Sequence, residues 1–156
     1  MPSRKLVLSL TGLFYLVSVA LPLVTWPGSD SGVPGYLGLL AGLLGILFMG
    51  GEGLFALTGI CTPWFCGLSW LANITFFTAI GWTLVAPEHV RVPKILAGST
   101  VVLATLFLPI QQIAMDDSGL RSDLSPGWGF YLWLASFILL NVYVHTKVDK
   151  SPSTAG

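Results

Sequence analysis

Four apolar stretches, each long enough for a membrane-spanning helix and free of charged side chains, restrict the folds open to this chain more strongly than any other feature of the sequence. They cover residues 6–24, 68–86, 95–113 and 128–144. A helix of about 20 apolar residues rises about 30 Å, which matches the hydrocarbon thickness of a bilayer. The sequence therefore predicts an all-α membrane protein with four transmembrane helices.

The low charge content of the whole chain supports this interpretation. Charged residues make up 9% of the 156 residues, whereas soluble domains contain roughly 25%. Seven Lys/Arg balance seven Asp/Glu, so the net charge gives no indication of nucleic-acid binding. The length fits one domain over 1–150, and the last residues, 151–156, are predicted to form a disordered tail.

The stretch over 35–60 is apolar, but the sequence GGEG interrupts it at 50–53. Its first half, 37–49, is too short for a spanning helix, and 26 residues cannot cross about 30 Å twice as helix. We therefore predict a glycine-rich re-entrant or interfacial helical segment between the first and second spans.

The N-terminus also has features of a secretory signal peptide. Arg4 and Lys5 precede the apolar stretch, and Ser18-Val19-Ala20 resembles a cleavage site. The apolar run continues past that point, and Pro22 lies close behind it. An uncleaved first helix is the favoured interpretation, and a removed signal peptide is the alternative.

The distribution of basic residues predicts the orientation. Lys and Arg in short loops are retained in the cytoplasm. If four helices span and 35–60 does not cross, six of the seven basic residues lie on one side: Arg4, Lys5, Arg91, Lys94, Lys147 and Lys150. If 35–60 crosses, only three basic residues stay with the N-terminus. We therefore expect a bacterial inner-membrane protein with both termini cytoplasmic.

Both cysteines, Cys61 and Cys66, lie just before the second span, on the predicted outer side. The segment CTPWFC can close a disulfide in an oxidising compartment. Its spacing differs from the C-x-x-C of thioredoxin-like sites, and the histidines that zinc would need, His89 and His145, fall on the opposite side. We interpret the pair as a candidate disulfide, with free thiols and a redox pair as alternatives.

Polar side chains at membrane depth are costly, so each one invites a functional hypothesis. Asn73 lies in the second span, Asn141 in the last, and Glu52 in the glycine-rich break. For the two asparagines we expect hydrogen bonds between helices. Glu52 is either solvated at the interface or placed at the tip of a re-entrant turn. In the second case Glu52, Asn73 and Asn141 are candidate ligands of an ion or proton pathway.

Tryptophans and small residues indicate how the helices are placed. All six tryptophans lie near predicted span ends, which is typical of the aromatic belts at membrane interfaces: Trp26, Trp64, Trp70, Trp82, Trp128 and Trp133. Ala97-Gly98-Ser99 and Gly81 suit close packing between helices.

The segments SWLANITFF (69–77) and GWGFYLWLASFILL (127–140) resemble helix-opening motifs in a group of small, uncharacterised bacterial multi-pass membrane proteins. The glycine-rich segment PGYLGLLAGLLGIL (34–47) is similar to the one that precedes W-L-A-N in that group. The resemblance covers about a third of the chain. Ile74 stands where the group usually has proline, so the helix break that a proline would cause is not implied here. The resemblance implies bacterial origin and membrane topology, but no activity.

No phosphate-binding glycine loop or Ser/His/Asp set is present in the sequence, which therefore assigns no catalytic, cofactor-binding or metal-binding residue. The short loops leave little room for a catalytic apparatus. We expect a non-enzymatic membrane component whose partners are the lipid bilayer and itself or another membrane protein. A small transporter and a thiol–disulfide oxidoreductase using the cysteine pair are the two alternatives.

Overall fold

The structure, a computed structural model, describes residues 3–26, 32–47, 63–86, 91–106, 108, 112–114, 121–123 and 125–148. This part of the chain is mostly helical, which confirms the helical character predicted from the sequence. Five helices are present in it: α1 (Arg4–Ala20), α2 (Gly35–Leu47), α3 (Pro63–Val85), α4 (Arg91–Thr105) and α5 (Trp128–Val148).

Short strands, which the sequence did not predict, connect the helices. Three of them form an antiparallel sheet in the order β2-β1-β5, where β1 is Pro22–Thr25, β2 is Gly32–Pro34 and β5 is Ser125–Pro126. A second sheet pairs β3 (Gln112–Ala114) with β4 (Arg121–Asp123).

Two helices end before the C-terminal ends of the spans predicted for them, and proline explains both. The span over 6–24 ends as helix at Ala20, and the span over 95–113 ends at Thr105. Pro22 and Pro109 have no N–H, so neither can donate to the carbonyl four residues before it. The chain continues into β1 after the first helix and reaches β3 at Gln112 after the second.

The helix predicted within 35–60 is present as α2, which ends at Leu47. Residues 48–60 lie outside the described residues, so the predicted re-entrant or interfacial course of that segment stays a prediction. The tail over 151–156 lies outside them as well.

Helix length by itself supports membrane association through α5 only. Within the described residues, Trp128–Thr146 is long and apolar enough to cross a bilayer, and the apolar part of α3 over Trp70–Val85 is shorter. Core helices of soluble proteins can reach the same length and composition. The prediction of four transmembrane helices therefore needs other support.

The four long helices form a bundle in the cyclic order α1, α5, α4, α3. Backbones come close between α1 and α5, between α5 and α4, and between α4 and α3. Between α1 and α3 contact is made by long side chains, such as Tyr15, which reaches Asn73 and Phe76. The smaller helix α2 packs against both α1 and α3.

The close contact between α3 and α4 follows from a pattern that both helices share. Each carries A-x-x-T-x-x-x-A, with Ala72, Thr75 and Ala79 on α3 and the equivalent stripe at 97, 100 and 104 on α4. All four alanines are fully buried, and the two threonine hydroxyls meet at 2.8 Å. Small side chains let two helix backbones approach closely, as in membrane helix pairs. The small residues at 97–99 were predicted to pack closely, but this repeat was not predicted.

The two ends of the bundle differ in structure and charge. At one end, which we call the sheet end, β1 follows α1 and pairs with β5, which leads into α5. At the other, which we call the basic end, Arg4 of α1 donates a hydrogen bond to the carbonyl of Thr83 near the C-terminus of α3. α3 ends at Val85 and α4 begins at Arg91. Because so few residues connect them, α4 also starts at the basic end. α1 and α4 therefore run antiparallel to α3 and α5.

Two glycines permit the close approach of α5 to β1. The N–H of Gly127 donates to the carbonyl of Leu23 at 2.9 Å, and a Cβ added at Gly127 would collide with the carbonyl oxygen of Pro22. A Cβ at Gly129 would lie 2.7 Å from two carbonyl oxygens, those of Leu21 and Pro22. The G-x-G that opens α5 is thus required by backbone packing.

We predict that Gly129→Ala destabilises the folded protein by about 2 kcal/mol or more, because its methyl group would overlap backbone carbonyls that cannot rotate away. Gly81→Ala is the matched control, since nothing lies within 4 Å of a Cβ there. In this second variant the higher helix propensity of alanine should stabilise by up to about 1 kcal/mol. Thermal unfolding in detergent micelles measures both effects, and equal melting temperatures for the two variants would contradict this packing.

Candidate functional site

The principal polar feature of the bundle is a hydrogen-bond network centred on Asn73 of α3, whose side chain is 4% exposed. Its Oδ1 accepts from the Tyr15 hydroxyl of α1 at 3.0 Å and from the Trp133 indole Nε1 of α5 at 2.8 Å. One amide oxygen therefore joins three helices. This is the kind of interhelical hydrogen bonding that the sequence analysis expected of Asn73.

The hydrogen bonds of Oδ1 and Nδ2 together fix the orientation of the Asn73 amide. Nδ2 donates to the carbonyl of Trp70, one turn earlier on α3, at 3.3 Å. A flipped amide would present N–H groups to the Tyr15 hydroxyl and to the Trp133 N–H, and the indole can only donate. With both lone pairs of Oδ1 occupied, the amide has no acceptor left for an ion or substrate.

Aromatic rings surround this network. Tyr15 stacks on Phe76 with the ring centroids 5.2 Å apart, Phe76 contacts Phe137 at 4.7 Å, and Phe137 contacts Trp133 at 4.6 Å. Phe76 and Phe137 are fully buried. Rings packed in this way exclude water, and hydrogen bonds in such a low-dielectric environment are stronger than in water.

Trp133 does not lie in an aromatic belt, contrary to the prediction. Its indole is 8% exposed and is held in the core by the bond to Asn73. Trp128 and Trp82 are 77% and 41% exposed, as belt residues would be. Trp70 has a different role, because its Nε1 donates to the carbonyl of Leu39 at 2.8 Å and ties α2 to α3.

Tyr15 and Trp133 are the residues of the network that the sequence analysis missed. Tyr15 was simply part of an apolar stretch, and Trp133 lies near a span end. A signal for them was present, because a buried indole N–H or phenol needs an acceptor and few side-chain acceptors lie within the spans. Asn73 was the natural candidate for that acceptor.

The second predicted asparagine behaves differently. The Asn141 side chain is half-buried and lies beside α4, where its Nδ2 would be 3.9 Å from a Cβ at Gly98. It makes no hydrogen bond within the described part of the chain. Trp133 and Asn141 are eight residues apart on α5, which corresponds to a rise of about 12 Å. The structure therefore does not bring Asn73 and Asn141 together.

The remaining predicted site residues, Glu52, Cys61 and Cys66, lie outside the described side chains. Glu52 and Cys61 lie outside the described residues, and Cys66 belongs to α3 without a described side chain. The candidate disulfide and the role of Glu52 stay predictions. Among the residues that the structure does describe, no three His, Cys, Asp or Glu side chains come together as they would around a metal ion.

A hydrogen bond from Arg4 joins α1 to the C-terminus of α3 at the basic end. The last helical hydrogen bond of α3 runs from the N–H of Ala86 to the carbonyl of Trp82 at 2.9 Å. The next carbonyl, that of Thr83, would accept from residue 87, which is proline and has no N–H. The half-buried guanidinium of Arg4 supplies the missing donor, and its charge is favourable at the negative end of the helix dipole.

Comparison with known proteins adds no identification, because no family model, curated protein or solved structure matches the chain.

We predict that Asn73→Leu destabilises the protein by about 2–4 kcal/mol, because the Tyr15 hydroxyl and the Trp133 N–H would both be buried without an acceptor. Asn141→Leu is the matched control and should change stability by less than about 0.5 kcal/mol, since its side chain makes no such bond. Unfolding in mixed micelles, followed by tryptophan fluorescence, gives both values.

Two further variants separate the hydrogen bonds from packing. Tyr15→Phe removes one donor and should lower the free energy of unfolding by less than Asn73→Leu does. The double variant should lose less stability than the sum of the two single losses. Fully additive losses would contradict a shared acceptor.

Proposed function

We propose that the chain is a multi-pass protein of the bacterial inner membrane in which α1, α3, α4 and α5 cross the bilayer. In this proposal both termini are cytoplasmic, and the protein is a non-enzymatic membrane component that packs with itself or with a membrane partner.

The observation that carries the proposal is the apolar exterior of the bundle. Large apolar side chains lie on the outside of every helix, while the interior holds the hydrophobic core together with a few buried polar side chains, namely Thr11, Ser18, Asn73, Thr100 and Ser136. On α1, for example, Leu13 and Leu16 are 52% and 69% exposed, whereas Thr11 is fully buried. Monomeric soluble proteins rarely expose apolar surface so continuously, but lipid-facing helices do.

The charges at the basic end support the same proposal. Arg4 and Lys5 open α1, and Arg91 and Lys94 open α4, with no acidic residue in either first turn. Basic residues at a helix N-terminus are unfavourable for the dipole of their own helix, so the stability of α1 and α4 does not account for them, although Arg4 also caps α3. Retention of basic residues on the cytoplasmic side accounts for both pairs.

The helix lengths are compatible with this arrangement. α3 and α5 contain 23 and 21 residues, which is enough for a bilayer core. α1, with 17 residues, and α4, with 15, are shorter. A bilayer accommodates short helices by local thinning and by long basic side chains that reach the headgroups.

The ion pathway is less well supported by the contacts. It requires Asn73 and Asn141 to face one wet cavity, but the Asn73 oxygen is saturated by Tyr15 and Trp133, and Asn141 lies about 12 Å further along α5.

We predict an alternating pattern of labelling for single cysteines placed between the helices in a Cys61→Ala, Cys66→Ala background. Ser29→Cys and Ser125→Cys should react with a membrane-impermeant maleimide in intact spheroplasts. Glu88→Cys and Ser151→Cys should react only after permeabilisation. Labelling of Glu88→Cys in intact spheroplasts would contradict four spans with cytoplasmic termini, and release of the protein by alkaline carbonate would contradict membrane integration altogether.

We predict that a photo-crosslinking amino acid on the lipid-facing surface traps a protein partner. Suitable positions are Leu16 and Ile95, which are both 69% exposed. At least one of them should give a discrete adduct with a second copy or with another membrane protein, identified by mass spectrometry. The fully buried Ala104 serves as control and should give none. Adducts with lipid alone at several exposed positions would contradict the packing role.

A further inference from the structure

α1 and α3 are neighbouring helices that meet through side chains, without the close backbone approach of the other neighbouring pairs, and we call the boundary between them the seam. We define the seam by Leu8 and Tyr15 on α1 and by Phe77 and Leu84 on α3. Tyr15 contacts Phe77 edge to face at 5.0 Å, and Leu8 packs on the core. Phe77 and Leu84 are each 54% exposed and are seven residues apart, so they lie on one face of α3.

The seam is closed at one end and open at the other. At the sheet end α2 packs against both α1 and α3 and is fixed by the bond from Trp70 to the Leu39 carbonyl. At the basic end the seam leads to Arg4 and Thr83. Phe77 lies about 10 Å deeper than Leu84, at 1.5 Å per residue. The apolar part is thus long enough for a substantial part of an acyl chain.

The open end carries unused cationic hydrogen-bond donors. Arg4 donates to the Thr83 carbonyl through Nη2, and a guanidinium has five N–H groups, so further donors are available for an anion. Lys5 is adjacent and exposed, and the first turn of α1 contains no acidic residue. Guanidinium and ammonium groups placed together in this way suit a phosphate.

We propose that this seam binds an anionic glycerophospholipid, with its phosphate at Arg4 and Lys5 and one acyl chain along Leu8, Phe77 and Leu84. The proposal rests on the membrane location proposed above and adds a specific ligand class and site. The bound acyl chain covers the exposed side chains of Phe77 and Leu84.

The experiment compares two variants of the purified full-length protein. Lys5→Gln removes an exposed basic residue at the start of α1, and Arg91→Gln removes an exposed one at the start of α4, diagonally across the bundle. Both leave the Arg4 contact in place. Each protein is equilibrated in micelles containing equal amounts of dioleoylphosphatidylglycerol and dioleoylphosphatidylcholine, and retained lipid is counted by native mass spectrometry.

The parent protein should retain phosphatidylglycerol in preference to phosphatidylcholine. Lys5→Gln should reduce this preference about fivefold, the effect typical of one basic side chain near an anionic surface. Arg91→Gln should leave it unchanged. An equal loss in both variants, or no preference in the parent protein, would overturn the site.

Two additional arms identify the source of the phosphate and separate the two proposals. Soluble glycerol phosphate should not raise the melting temperature of the protein in micelles, whereas phosphatidylglycerol should; equal protection by both would overturn a lipid site. Carbonate extraction of the same variants tests membrane integration independently. If the protein stays in the membrane but shows no lipid preference, the lipid site is refuted and the proposed membrane location is not.

Discussion

The fold depends on one buried acceptor, the side-chain oxygen of Asn73. α1 and α3 do not approach each other closely through their backbones, so they need a bridge built from side chains. Tyr15 provides that bridge, and Trp133 joins α5 to the same oxygen. An unsatisfied polar group in an apolar interior costs far more than a typical hydrogen bond gains. The three helices are therefore fixed in register at one depth, which their apolar surfaces alone would not specify.

Backbone chemistry decides where the helices end. A proline lies four residues after a carbonyl near the C-terminus of three helices, in the pairs Ser18–Pro22, Thr83–Pro87 and Thr105–Pro109. Each carbonyl loses its helical donor, and each is accommodated differently. Arg4 donates to Thr83, the N–H of Leu108 donates to Thr105 at 3.1 Å, and Gly35 and Gly129 pack closely around Ser18. The ends of α1 and α3 are thereby tied to neighbouring elements and are part of the tertiary structure, whereas the end of α4 is capped locally by Leu108.

The features that depend on nearby residues could be predicted from the sequence, whereas those that depend on contacts between distant residues could not. Local chemistry was sufficient for the helical character and for the choice of Asn73 as a hydrogen-bonding residue. The predicted spans extend beyond α1 and α4 because the apolar sequence continues past Ala20 and past Thr105, the last residues of these helices. The partners of Asn73 lie 58 and 60 residues away in sequence, so no local pattern reveals them. The burial of Trp133 follows from that contact, and its position near a span end indicated the opposite.

The distribution of polar groups also bears on what such a protein can do. Asn73 is saturated by internal donors, and the hydroxyls of Thr75 and Thr100 bond to each other and to carbonyls of their own helices. Polar groups satisfied in this way rigidify the bundle and leave no reactive centre among themselves. The described residues present two surfaces to other molecules, the apolar exterior and the basic end with Arg4 and Lys5. Recognition at such surfaces depends on shape and charge, which is the kind of contact that the proposed role requires.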